Sequence, residues 1–246
     1  MSKIIKSGDV YSTNKGGTVT VVKYRNSSEV VIKHNDDYEH TATVTSHQLR
    51  KGKVKNPYQP CIHGVGFVGV GEHTAYINGK QAPAYTAWHN MLKRCYSDDH
   101  LTKYPTYRGC SVHPDWHNYQ IFAEWFEQQY RADGWALDKD LIVGGNKTYA
   151  ADTCIFIPQQ LNTLLNDCGA SRGGLPQGVS RNRKGFIARL RIDGITHCLG
   201  TYQIPEEAFQ AYKIAKESNV KRMAEQYRGL IDPRVYESLM KYEVAQ

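Results

Sequence analysis

Apolar and polar residues alternate through the first sixty positions, in "TVTVVKY" at 18–24, "EVVIKH" at 29–34 and "HTATVTS" at 40–46. A period of two puts every second side chain on one face, and the Gly, Asn, Ser and Asp clusters between the runs supply tight turns. Residues 1–60 therefore read as a small antiparallel β-barrel. The basic stretch "LRKGKVKNPYQP" closes it, because its two prolines cannot continue a strand interior, and a boundary near residue 60 follows. Arg50, Lys51, Lys53 and Lys55 in that stretch read first as a solvated linker, with a phosphate contact that tracks a nucleic-acid backbone as the alternative.

"GVGFVGVGEHTAYING" comes next, with no lysine at the spacing a phosphate-cradling loop needs, so its glycines are read as turns. From Tyr85 the period becomes helical: Trp88, Met91, Leu92 and Cys95 recur at steps of three and four. A second helix over roughly 116–130 places Trp116, Tyr119, Phe122, Trp125 and Phe126 on one core face. Residues 138–162, "DKDLIVGGNKTYAADTCIFIPQQLN", read as strand, glycine turn, strand, helix. A Gly, Ser and Pro linker, "CGASRGGLPQG", spans 168–178. Alternation then returns in "GFIARLRI" and "GITHCLGTY", followed by a helix from Pro205 with Ala208, Ala211, Tyr212 and Ala215 on one face. The fold class is α+β, in three modules: 1–60, 61–168 and 169–246, the last with a C-terminal helical extension.

A formal charge of +7 and a pI near 9.0 over 246 residues favour a polyanionic partner, nucleic acid first. Six cysteines without regular spacing, and no apolar leader, argue against a secreted disulfide scaffold and for reduced thiols in the cytoplasm. No apolar run approaches the roughly 20 residues of a membrane-spanning helix. No membrane partner is expected.

The strand–turn–strand–helix stretch brings an acid, Asp138, toward an amide, Asn162, across the hairpin. Oxygen donors with open coordination positions suit Mg²⁺ held against a scissile phosphate. Residues 135–166 resemble the ββα-metal core of HNH endonucleases. The resemblance implies Asp138 and Asn162 as metal ligands, and it sets Lys139 where the histidine base belongs. It assigns the middle position to Asp152 or Thr153. The tract "YTAWHNMLKRCY…YPTYRGCSVHPDWHNYQIFAEWF" is similar to phage-encoded proteins of the same kind, which extends the resemblance over residues 60–168. Asp138, Lys139 and Asn162 are thus the candidate catalytic group. A lysine is almost wholly protonated at neutral pH and takes no proton from water unless its pKa falls by several units; protonated, it pairs with phosphate instead. Cys110 and His113, with Cys95 and Cys154, form too loose a set for structural zinc, which is not expected. His113 or His117 are alternative bases, but single histidines beside Trp116 read first as packing.

In "SRNRKGFIARLRIDG" Phe186, Ala188, Leu190 and Ile192 alternate with Ile187, Arg189 and Arg191. The apolar row belongs under the helix. Arg189 and Arg191 take the open face, joined by Arg181, Arg183 and Lys184, a pattern suited to guanine edges and phosphates of double-stranded DNA. Residues 178–216 resemble the three-stranded-sheet-plus-helix domain of plant ethylene-response transcription factors, also found in phage homing endonucleases. Shared elements are Gly178-Val179, Phe186 before alternating Ala and Arg, Leu199-Gly200, and Glu207-Ala208 with Ala211-Tyr212. The resemblance implies DNA contact by the sheet arginines.

Two readings follow. One is a phage-type, Mg²⁺-dependent DNA endonuclease aimed by its C-terminal domain, acting in the host cytoplasm. The other is a non-enzymatic DNA-binding protein, or one that engages a host factor, retaining the nuclease skeleton.

Overall fold

The computed structural model describes residues 4–129, 132–165 and 174–244. The fold is mixed α+β: an N-terminal four-stranded antiparallel sheet, a central helical region, and a C-terminal three-stranded sheet packed against a long helix. The chain divides into two compact units, one running to Tyr104 and including Pro114–Glu124, the other holding Pro105–His113 and everything from Trp125.

In the first unit β1 (Val10–Ser12), β2 (Thr18–Asn26), β3 (Glu29–His34) and β4 (Thr41–Val44) form a meander in that order. The expected alternation is visible in its core: Val19, Val21, Val30 and Ile32 are buried with Ile5, Leu49 and Val54. Leu49 comes from α1 (Ser46–Arg50), started by a capping box in which Thr45 accepts from the Gln48 N–H and Gln48 accepts from the Thr45 N–H. The sequence pattern predicts a strand running through this turn. The cap ends β4 earlier, because Thr45 and Gln48 satisfy the backbone donors that a fifth strand position would have left to the sheet.

β5 (Tyr76–Ile77) and β6 (Lys80–Gln81) make a short hairpin ahead of α2 (Pro83–Tyr96). Pro83 suits the first turn of α2, where its missing N–H costs nothing. Ala84, Tyr85, Trp88, Met91, Leu92 and Cys95 form its buried face, the stripe the spacing predicts. α3 (Asp98–Lys103) follows. The helix expected over 116–130 is shorter: residues 114–117 form a 3₁₀ turn, Asn118 accepts from the Gln120 N–H, and α4 (Tyr119–Glu127) begins after it. Trp116, Tyr119, Phe122 and Phe126 are buried all the same, and the Trp88 indole donates to the Trp116 carbonyl at 2.7 Å.

The second unit begins with β7 (Ser111–Val112), parallel to β9 (Thr148–Tyr149). β8 (Ala136–Asp138) pairs antiparallel with β10 (Ile155–Ile157), and α5 (Gln159–Leu165) follows directly. β11 (Val179–Asn182), β12 (Gly185–Ile192) and β13 (Ile195–Tyr202) make the three-stranded sheet, with β12 central. α6 (Pro205–Gln226) crosses it, and α7 (Pro233–Met240) is the last helix among the described residues. α6 serves two cores. Its first half packs Ala208, Phe209 and Tyr212 on Val179, Ala188 and Leu190 of the sheet. Its second half packs Val220, Met223 and Ala224 with Val235 and Leu239 of α7 and with Ile155, Ile157 and Leu161 of the hairpin and α5. Of the linker read at 168–178, residues 168–173 lie outside the described residues.

Candidate nucleic-acid interface and hairpin

Antiparallel register decides which side chains share a face of the C-terminal sheet, since directly paired residues point the same way. Arg189 pairs with Cys198, Arg191 with Thr196, and Ile187 with both Ser180 and Thr201. These residues share the face opposite Ala188 and Leu190, which lie under α6. Arg189 and Arg191 are exposed, two positions apart on one strand, and the Arg191 guanidinium donates through Nε to the Gly194 carbonyl, which steadies it beside the turn. At the other end of β12, Asn182 accepts from the Lys184 N–H and holds Arg183 and Lys184 exposed at the tip of the β11–β12 turn.

Arg181 differs from the expectation. It pairs with Phe186, and its guanidinium lies 5.8 Å from the Phe186 ring centroid. Phe186 packs toward α6, so Arg181 belongs to the helix side of the sheet. Simple alternation also misplaces β13. A bulge between Ala188 and Arg189 shifts the register past Leu199, so Cys198 and Thr201 lie on the same face although an odd number of steps separates them. Alternation alone therefore fails to place Thr201 on the same face as Thr196 and Cys198. Leu199-Gly200 was the available signal, since a glycine within a strand often marks such a bulge.

In the hairpin, Asp138 ends β8 and its Oδ1 accepts from the backbone N–H groups of Asp140, at 3.0 Å, and Leu141, at 2.8 Å. Burial, then the charge of Asp140, pushes its carboxyl above the ordinary range. Lys139 is buried, and its ammonium donates to Asp140 Oδ2 and to the Asn146 carbonyl, each at 2.9 Å, with the Tyr149 ring centroid 5.9 Å away. Burial alone would pull the Lys139 pKa down. The hydrogen bond and charge of Asp140, helped by Cys110 and Asp138, more than offset it, so the net shift is upward and Lys139 remains an ammonium.

Asn146 completes this closure and is not among the residues that the sequence pattern singles out. Its Nδ2 donates to the carbonyls of Lys139 and Thr148, each at 2.7 Å, and its Oδ1 accepts from the Thr148 N–H at 3.0 Å. An Asn after two glycines is a turn signal in itself, because its amide substitutes for backbone partners. The loop between β8 and β9 is thus closed by one lysine and one asparagine.

The other expected members stand apart. β10 opens at Ile155, after Asp152 and Thr153; Asp152 is exposed and Thr153 donates to the Thr148 carbonyl. Asn162 lies on α5, and among the described residues no hydrogen bond joins it to Asp138. His113 is exposed, with its backbone N–H on the Tyr149 carbonyl. Cys154 is buried, and burial with the nearby Asp138 charge pushes its thiol up to about 12, so it stays protonated. Among the described residues no three His, Cys, Asp or Glu side chains converge as metal ligands. The donor set does not fit Mg²⁺: one Asp138 oxygen is committed to two N–H donors, and the neighbouring carboxylate of Asp140 already holds the Lys139 ammonium.

The chain matches no protein-family model, no curated protein and no solved structure. Among the described residues no helix is long and apolar enough to cross a membrane, and Cys61, Cys95, Cys110, Cys154 and Cys198 are not joined in disulfides.

Proposed function

We propose that this protein binds double-stranded DNA through the open face of its C-terminal sheet, and that its hairpin is a scaffold in place of a cleaving site. The observation that carries the reading is the pairing of exposed Arg189 and Arg191 on the central strand, with Thr196, Cys198, Thr201 and Ser180 beside them and Arg183 and Lys184 at the strand end. A twisted sheet of this width fits the major groove. Guanidinium groups there pair bidentately with guanine or grip phosphate, and the small hydroxyl neighbours leave room for base edges. The net charge of +7 supports the same partner class.

In this reading the N-terminal sheet is a small, partly open barrel. The β8–β10–α5 order is a ββα core of the HNH kind whose base position holds a staple. That strand order is the one observation favouring the endonuclease reading. Lys139 weighs against it, because an ammonium engaged by Asp140 and Asn146 has no free lone pair with which to take a proton from water.

The test is a salt titration of a labelled duplex by fluorescence anisotropy. DNA binding through these cations predicts a binding constant that falls linearly on logarithmic axes as salt rises, about 0.9 in slope for each phosphate neutralised. Affinity indifferent to salt, or no binding at low salt, rejects the reading.

A further inference from the structure

The β5–β6 hairpin of the first unit presents two large apolar side chains to solvent. Its two-residue loop, Asn78-Gly79, has φ values of +50° and +76°. Positive values at both central positions are what a tight hairpin turn of the I′ kind requires, so the hairpin is held in one shape. Tyr76 pairs with Gln81, and Ile77 with Lys80. Tyr76 is nevertheless 58% exposed and Ile77 54%, so neither side chain is spent on the core.

Ring contacts carry Tyr76 onto α2. Its centroid lies 5.8 Å from that of Tyr85, Tyr85 lies 6.2 Å from His89, and His89 lies 5.1 Å from His63 of the preceding turn. Tyr85 is buried and anchors the series, whereas Tyr76 is exposed and both imidazoles are half-buried. Lys93 follows His89 by one helical turn. It is exposed, as is Lys80, and among the described residues no hydrogen bond or ion pair engages either ammonium. Burial first, then His89 and Lys93, holds the His63 pKa below its ordinary value, and no carboxylate is among the groups that act on it.

Exposed rings beside unengaged cations suit one class of ligand. A lysine grips phosphate as a point charge but lacks the planar fork that reads paired base edges in a groove. An exposed tyrosine offers its face to any base, and because bases within a duplex already stack on one another, the ring gains most from an unpaired strand. The net charge of +7 fits the same polyanion.

We infer that the first unit binds single-stranded nucleic acid along the β5–β6 hairpin and the exposed side of α2, with a base on Tyr76 and phosphates at Lys80 and Lys93. These residues belong to the first unit and the C-terminal sheet to the second, so the inference stands or falls independently of duplex binding there.

The test is fluorescence anisotropy of the full chain with labelled oligodeoxythymidylate, which forms no duplex, at a series of salt concentrations. Saturable binding at low salt is expected. Tyr76→Ala should weaken it by roughly fivefold or more, and Tyr76→Trp, which keeps a stacking face, should retain it. Lys93→Ala, at an exposed helix position, should lower the slope of log affinity against log salt by about 0.7, the value of one phosphate on a single strand. Arg189→Ala/Arg191→Ala should keep the oligothymidylate signal. Should Tyr76→Ala disturb the Tyr85 ring beneath it, Lys93→Ala carries the test alone. No binding at low salt, a Lys93→Ala slope equal to that of wild type, or a loss confined to the arginine variant each overturns the assignment.

Discussion

Gly178 shows how a single residue sets the C-terminal module. Its φ is +74°, in the left-handed region, and a Cβ placed there would lie 1.9 Å from the Tyr212 ring. Tyr212 is buried on the sheet, so the glycine is needed both for backbone conformation and for the close approach of α6. Gly178→Ala should therefore destabilise the protein by about 2–4 kcal/mol, the sum of overpacking and a strained φ, read as a lower urea midpoint. An unchanged midpoint would mean that Tyr212 does not pack on Gly178. The Gly178-Val179 pair was legible in the sequence. What was not legible is the closure made by Lys139 and Asn146, because its bonds run from side chain to backbone between positions seven apart and follow no period.

At the scale of elements, the period-two runs and the α2 stripe were readable because burial on one face imposes them. Strand ends and bulges depend on local caps and ladder offsets that the pattern does not encode, as at Thr45 and Leu199. The N-terminal sheet has a pH dependence that follows from β3. His34 is buried at its end, and its pKa is lowered, first by burial and then by His40, against the raising effects of Asp36 and a hydrogen bond to the Lys55 backbone. A histidine with a folded pKa below its unfolded one is favoured neutral, so its contribution is complete above about pH 6.5 and is lost as pH falls toward the lowered value. Wild type should lose stability between about pH 7.5 and 5 in urea melts, and His34→Leu should flatten that acid limb. Equal slopes would place the titrating group elsewhere. The hairpin gives a sharper test of chemistry. Supercoiled plasmid with Mg²⁺ or Mn²⁺ should stay intact with wild type and also with Lys139→His, since a base at that position does not free the committed oxygens of Asp138 and Asp140 to hold a metal. Nicking by either protein above an Asp138→Ala background would restore the endonuclease reading.

Over the whole molecule, the charge excess pointed toward nucleic acid but could not say where. Register separates cations that the sequence grouped together: Arg189 and Arg191 on the open face, Arg181 beside Phe186 on the helix side. α6 also joins what the sequence divided, because its second half shares a core with the hairpin, and a helix of 22 residues carries two stripes that a single-module reading merges. The central claim is that DNA lies on the open face. The direct measurement is duplex affinity at fixed low salt for wild type, Arg189→Ala/Arg191→Ala and Arg181→Ala, compared in one anisotropy series. Removing an arginine that pairs with a base costs about 1–3 kcal/mol, so the double variant should weaken binding by at least tenfold while Arg181→Ala stays within about threefold of wild type. Equal losses in both, or full affinity in the double variant, would contradict the account.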